Sequence, residues 1–126
     1  MSSNLMMLLK TLVIFLLLDF VYLNLASKHF NQLINKIQGE KIKLKIVPTV
    51  LCYFSLIFGL YYFVLRTNKS NKEKIIDSAV LGFVIYSVYE FTNAAILKDW
   101  DTKSVIMDTI WGTTLYSLTT TILLHV

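Results

Sequence analysis

Charge, cysteine and histidine are what this sequence has least of. Only 16% of its 126 residues are charged, too few to dress the surface of an ordinary water-soluble domain. One cysteine, Cys52, and two scattered histidines leave no material for a disulfide framework or a His/Cys zinc centre. Cys52 alone says nothing of the redox compartment. There are four glycines, and neither a nucleotide-binding loop, a G-x-S-x-G elbow nor a His-rich metal motif occurs. No catalytic set, metal or cofactor is read from the chain.

What is present is apolar. Hydrophobic residues make up 56% of the chain and the mean hydropathy is +0.62. Four runs, about Leu5 to Leu25, Val47 to Leu65, Ile75 to Leu97 and Val105 to Val126, are long enough to cross a hydrocarbon core, which takes roughly 20 helical residues. Stretches such as LVIFLLL are apolar in both phases of a two-residue alternation, so helices are expected rather than barrel strands. The first run does not read as a cleaved leader: nothing basic precedes Lys10, Asp19 interrupts it, and no small-x-small pair precedes Ser27.

The expected fold is all-α, one integral membrane domain over residues 1–126, with four transmembrane helices in an up-down-up-down bundle. Short second and third loops make neighbours antiparallel. Pro48 suits the first turn of helix 2, Ser70 to Glu73 has capping-box spacing before helix 3, and Asp101 or Thr102 can cap helix 4. The first loop, about Ala26 to Ile46, places Phe30, Leu33, Ile34 and Ile37 on one helical stripe among polar residues. It is expected to lie as an amphipathic segment on the membrane surface, its lysines near anionic headgroups.

The net charge of +4 is read as membrane orientation, not nucleic-acid binding, because the basic residues lie between apolar runs. Loops one and three carry Lys28, Lys36, Lys41, Lys43, Lys45, Lys98 and Lys103; the other side carries Lys10, Arg66, Lys69, Lys72 and Lys74. The excess places loops one and three inside and both termini outside.

Three acids stand inside the apolar runs: Asp19, Glu90 and Asp108. Each would cost at least about 2.5 kcal/mol facing lipid at the bilayer centre. In an up-down bundle the end of helix 1, the end of helix 3 and the start of helix 4 share one leaflet, so the acids should meet. Helical spacing adds Tyr22 to Asp19, Tyr86 and Asn93 to Glu90, and Trp111 and Gly112 to Asp108. Thr92 joins this polar cluster, with Lys98 and Trp100 at the interface. Three crowded acids would repel if all were ionised, so a shared proton or cation is implied. The same residues also suit hydrogen-bonded glue between helices. Gly59 and Gly82 suit close packing, the hydroxyls of helix 4 suit bonds to their own i−4 carbonyls, and aromatics such as Tyr53, Phe54 and Tyr62 suit lipid-facing positions.

LDFVYL in helix 1, GFVIYSVYEFTNAAILKDW through helix 3, and VIMDTIWGTTLY in helix 4 together resemble the small four-helix membrane proteins grouped as domain of unknown function 2177. The resemblance spans nearly the whole chain and implies signature positions at Asp19, Tyr86, Glu90, Thr92, Asn93, Lys98, Trp100, Asp108, Trp111 and Gly112. Tyr22 stands where many bacterial members resemble each other in a Trp, and Glu90 where an Asp is frequent. The family occurs in bacteria and large DNA viruses, and the richness in Lys, Asn and Ile leans toward an AT-rich viral source. The resemblance implies no activity. Two function classes stay open: a membrane protein handling a proton, cation or small polar solute, working as a homo-oligomer or within a membrane complex, and a non-catalytic scaffold of a membrane. An intramembrane lipid-modifying enzyme would need a nucleophile or metal that the sequence does not offer.

Overall fold

The computed structural model describes residues 2–126, and every regular element among them is helical. Helix α1 runs from Ser3 to Gln38, 36 residues, about 54 Å at ~1.5 Å per residue. It continues well beyond the Leu25 boundary expected from hydropathy. Neither Gly nor Pro interrupts the stretch before Gly39, so the intrahelical ladder has no reason to stop there. It stops at Gly39, whose φ of 80° is a left-handed cap that a residue with a Cβ adopts only at a cost. At the other end Ser2 Oγ accepts from Leu5 N–H at 3.1 Å.

Helix α2 spans Ile46–Leu60 and passes into a π-helical turn at Tyr61–Leu65, where Arg66 N–H reaches the Tyr61 carbonyl at 3.0 Å. Helix α3 spans Asn71–Ile96. Ser70 Oγ caps it, accepting from Glu73 N–H at 3.2 Å. Helix α4 spans Thr102–Leu124, and of the two candidate caps Asp101 does the work, its Oδ1 accepting from Ser104 N–H at 2.8 Å.

The first loop is thus largely helix. The stripe expected on the membrane surface is the far end of α1, and its apolar side turns onto the protein. Leu33 is buried, and Phe30 tilts against Trp100 with ring centroids 6.4 Å apart. Lys36 lies 3.9 Å from Asp99, and His29 Nε2 lies 2.7 Å from Ser104 Oγ. These contacts strap the end of α1 across the turn between α3 and α4.

Helix α4 is the axis of the molecule. Its buried residues Ser104, Asp108, Gly112, Leu115, Tyr116, Thr119, Thr120 and Leu123 recur every three or four positions, one continuous face. That face packs antiparallel on α3, where Gly82 meets the Gly112 backbone, and antiparallel on α1, where Trp111 pairs with Asp19 and Tyr22 with Asp108. Phe15, Ile57, Leu60, Val64, Leu65, Leu115, Tyr116 and Leu123 form the apolar core. Tyr116 crosses it, edge-on to Phe15 at 5.6 Å, and its hydroxyl donates to the Leu56 carbonyl at 2.8 Å.

Three helices, Ser3–Gln38, Ile46–Leu65 and Asn71–Ile96, are long and apolar enough to cross a membrane. Thr102–Leu124, expected as an equal span, is not among these three; hydroxyls crowd its sequence. Thr113, Thr114, Ser117 and Thr121 return their hydroxyls to i−4 carbonyls at 2.7–2.9 Å. Thr119 and Thr120 do not: among the described residues their hydroxyls are buried without a hydrogen-bond partner. The outward faces of α1 to α3 carry large apolar side chains, among them Leu17 at 63%, Phe54 at 66% and Phe91 at 62% exposure, an apolar girdle that water tolerates poorly.

Asp101 ties the strap to its helix cap. Burial opposes its charge, but hydrogen bonds from the Ser104 side chain and backbone, with His29 and Lys103 nearby, hold its carboxyl below the usual carboxylate range. A depressed folded-state value contributes stability above the unfolded value and loses it as pH falls through the folded one. Protection of the Ser104 amide in hydrogen exchange, corrected for intrinsic rates, should therefore hold at pH 5 and weaken below about pH 4; protection unchanged down to pH 2.5 would contradict this role.

Candidate functional site

The three acids do meet. Asp19 is 6% exposed, Asp108 9% and Glu90 0%, and a relay of hydrogen bonds and one ring stack joins them across the helices. Tyr53 of α2 donates its hydroxyl to Asp19 Oδ2 at 2.5 Å. Trp111 of α4 donates its indole N–H to Asp19 Oδ1 at 2.9 Å. The Trp111 ring stacks on Tyr22 of α1, centroids 4.7 Å apart and planes 6° from parallel. Tyr22 in turn donates to Asp108 Oδ1 at 3.0 Å. Asp108 and Glu90 come within hydrogen-bonding reach of each other, and Glu90 Oε1 accepts from Trp100 Nε1 at 2.8 Å.

The far oxygen of Glu90 is different. Oε2 is buried, and among the described residues no group donates to it. Leaving such an acceptor unserved costs free energy that a purely structural network would avoid. Two neighbouring carboxyl groups, Asp108 taking its donor at Oδ1 and Glu90 at Oε1, form an arrangement that a shared proton or cation can complete.

Local sequence explains how the helices come so close. At Gly82 a Cβ would strike the Gly112 carbonyl oxygen and lie 2.8 Å from Tyr116 Cβ; at Gly112 it would run into the Tyr86 ring. The absence of side chains at both positions brings Glu90 and Asp108 within reach of one another. Tyr86 packs flat over Gly112 and edge-on to Tyr116 at 6.4 Å.

Some expected members stand apart. Thr92 is exposed, away from the acids, and Lys98 is exposed. Asn93 is half-buried, its carbonyl accepting from Leu97 N–H at 2.8 Å. Trp100, expected at the interface, reaches Glu90 with its indole N–H. Tyr53, placed with lipid-facing aromatics by sequence, is a correction: it turns inward to Asp19, because α2 packs that face against α1. His29 was also unforeseen as a strap residue. Its signal was present, since Asp19, Tyr22, Ala26, His29 and Leu33 fall on one face of an uninterrupted helix. Among the described residues no three His, Cys, Asp or Glu side chains are placed to hold one metal ion.

A cleft leads into the cluster from the α1 strap. It has a volume of about 640 Å³ and is bounded by Tyr22, Phe30, Lys43, Leu44, Tyr89, Trp100 and Asp108, among others. Asp108 lies on its floor and Lys43, 83% exposed at its side chain, on its rim.

An all-helical bundle with an apolar girdle, three helices fit to cross a bilayer and its acids folded inward is a membrane protein. The chain belongs to the family described as predicted membrane protein (DUF2177), whose model matches residues 4–124. No curated protein and no solved structure matches it.

Proposed function

We propose that the protein is a multipass membrane protein of four spans in an up-down-up-down bundle, both termini outside, whose acidic relay takes up and passes on a proton, a cation or a small polar solute. The observation carrying this reading is Glu90: fully buried, beside Asp108, with one oxygen that nothing serves. Ionisable groups at membrane depth are costly and face function when they persist. The fourth span is α4, whose polarity is admissible because its neighbours shield it from lipid. A four-helix unit encloses little volume, so transport would run in a homo-oligomer or a larger membrane complex. The basic residues of the α1 strap and Gly39–Lys45 lie along anionic headgroups.

In proteoliposomes carrying a pH gradient, Glu90→Gln should abolish proton-coupled flux while the protein remains folded and inserted. Unchanged flux would leave the second reading, a non-catalytic scaffold. That reading is favoured by one observation: Asp19 and Asp108 each accept from a Tyr or Trp on another helix, as interhelical glue would.

A further inference from the structure

The cleft below the α1 strap has the chemistry of a particular ligand. Its depth follows from α1: about 20 residues cross the hydrocarbon core, so the rim residues beyond Leu25 stand at headgroup level while Tyr22 and Asp108 mark the hydrocarbon boundary. Trp100 sits between Phe30 and Tyr89, its ring centroid 6.4 Å from one and 6.5 Å from the other, edge-on to Tyr89. Three aromatic rings lining one cleft with a carboxylate suit an organic ammonium group, since ring faces attract a cation that has shed part of its water. The carboxylate is Asp108, backed by Glu90 with its unserved oxygen. At the rim the charge reverses. Lys43 has a 4.0 Å contact with Glu40 as its ion pair, too loose and exposed to occupy it. The rest of the lining mixes an aliphatic wall of Leu23, Ile42 and Leu44 with the polar Ser27, Asn31 and Gln38.

We propose that this cleft binds the headgroup of a zwitterionic phospholipid, with its ammonium among Phe30, Tyr89 and Trp100 above Asp108, its phosphate at Lys43 and the start of its acyl chains along Leu44. A volume near 640 Å³ is in the range of small-molecule sites. The acidic floor disfavours a headgroup that carries phosphate alone. The inference stands apart from proton handling: a Glu90→Gln protein that loses flux but keeps the lipid would overturn neither.

Both tryptophans of the chain lie at the site, Trp100 lining the cleft and Trp111 stacked on Tyr22, so intrinsic fluorescence reports occupancy directly. The full-length protein in detergent micelles is titrated with short-chain phosphatidylethanolamine, phosphatidylcholine and phosphatidylglycerol, and with soluble phosphoethanolamine. A saturable change with the two zwitterionic lipids, weakened about tenfold by Asp108→Asn and also weakened by the exposed, fold-neutral Lys43→Gln, is the expected result. An equal response to phosphatidylglycerol overturns it, because the amine is then not read. Phosphoethanolamine binding as tightly as the lipid overturns it too, because the aliphatic wall is then idle. So does the absence of any saturable change. Lysine-rich surfaces elsewhere that attract anionic lipid do not touch either tryptophan and leave the signal unmoved. If Asp108→Asn does not fold, Lys43→Gln with Phe30→Ala decides the outcome, and affinity unchanged in both overturns the proposal.

Discussion

Gly112→Val should be among the most damaging single substitutions in the chain, costing about 3 kcal/mol or more. A Cβ on residue 112 would lie 2.6 Å from Tyr86 Cβ and closer still to the base of its ring. Tyr86 Cβ is fixed by the backbone, so a rotamer change that moved the ring would still leave that clash; α3 and α4 would have to part. Gly82→Ala should act in the same direction, against the Gly112 carbonyl and Tyr116. The control is built into the molecule. A Cβ at Gly59 meets nothing within 4 Å, so Gly59→Ala should be neutral or stabilising by up to about 1 kcal/mol, the gain of Ala over Gly inside a helix. Thermal unfolding in detergent compares the three, and Gly112→Ala combined with Tyr86→Ala should recover part of the loss through the shared contact. If Gly112→Val melts with wild type, the α3–α4 approach described here is wrong.

The second large effect is a pair of opposite signs. Asp19→Leu removes the acceptor of both Tyr53 and Trp111 and strands two half-buried donors, at about 1–3 kcal/mol each. Glu90→Gln should do the reverse. Its carbonyl keeps the Trp100 bond, and its amide brings to Asp108 the donor that Glu90 lacks, for a gain on the order of 1 kcal/mol. Working sites commonly hold groups in arrangements that cost stability, whereas glue does not. Melting temperatures of both variants in detergent therefore sort the relay. A destabilised Asp19→Leu with a stabilised Glu90→Gln assigns anchoring to Asp19 and work to Glu90; two losses of similar size assign glue to all.

The acids were legible in the sequence because hydrocarbon tolerates no stray charge, so Asp19, Glu90 and Asp108 announce themselves against Leu, Ile and Val. Their partners Tyr22 and Trp111 followed from helical spacing. Tyr53 was not legible: it sits in a run apolar on every side, and only the packing of α2 against α1 tells which of its many aromatics turns inward. The length of α1 was hidden by the drop in hydropathy after Leu25, which does not mark where the helix ends. Thr92 misled because two residues beyond Glu90 is about 200° round the helix, nearly the opposite face. The polarity of α4 was visible residue by residue, yet its place at the centre of the bundle is a property of the other three helices.

That central polarity bears on how the protein is made. A segment as rich in hydroxyls as Thr102–Leu124, with Asp108 in it, gains little by leaving the insertion machinery for lipid alone. Its long paired surface lies with α3, to which a turn of a few residues joins it, and the glycine contact at Gly82 and Gly112 can form as soon as the two emerge. In the four-span arrangement the last helix enters the bilayer as half of a hairpin. Assembly then has an order: α1 to α3 can wait in lipid on their own account, and the acidic relay is completed only when α4 joins them.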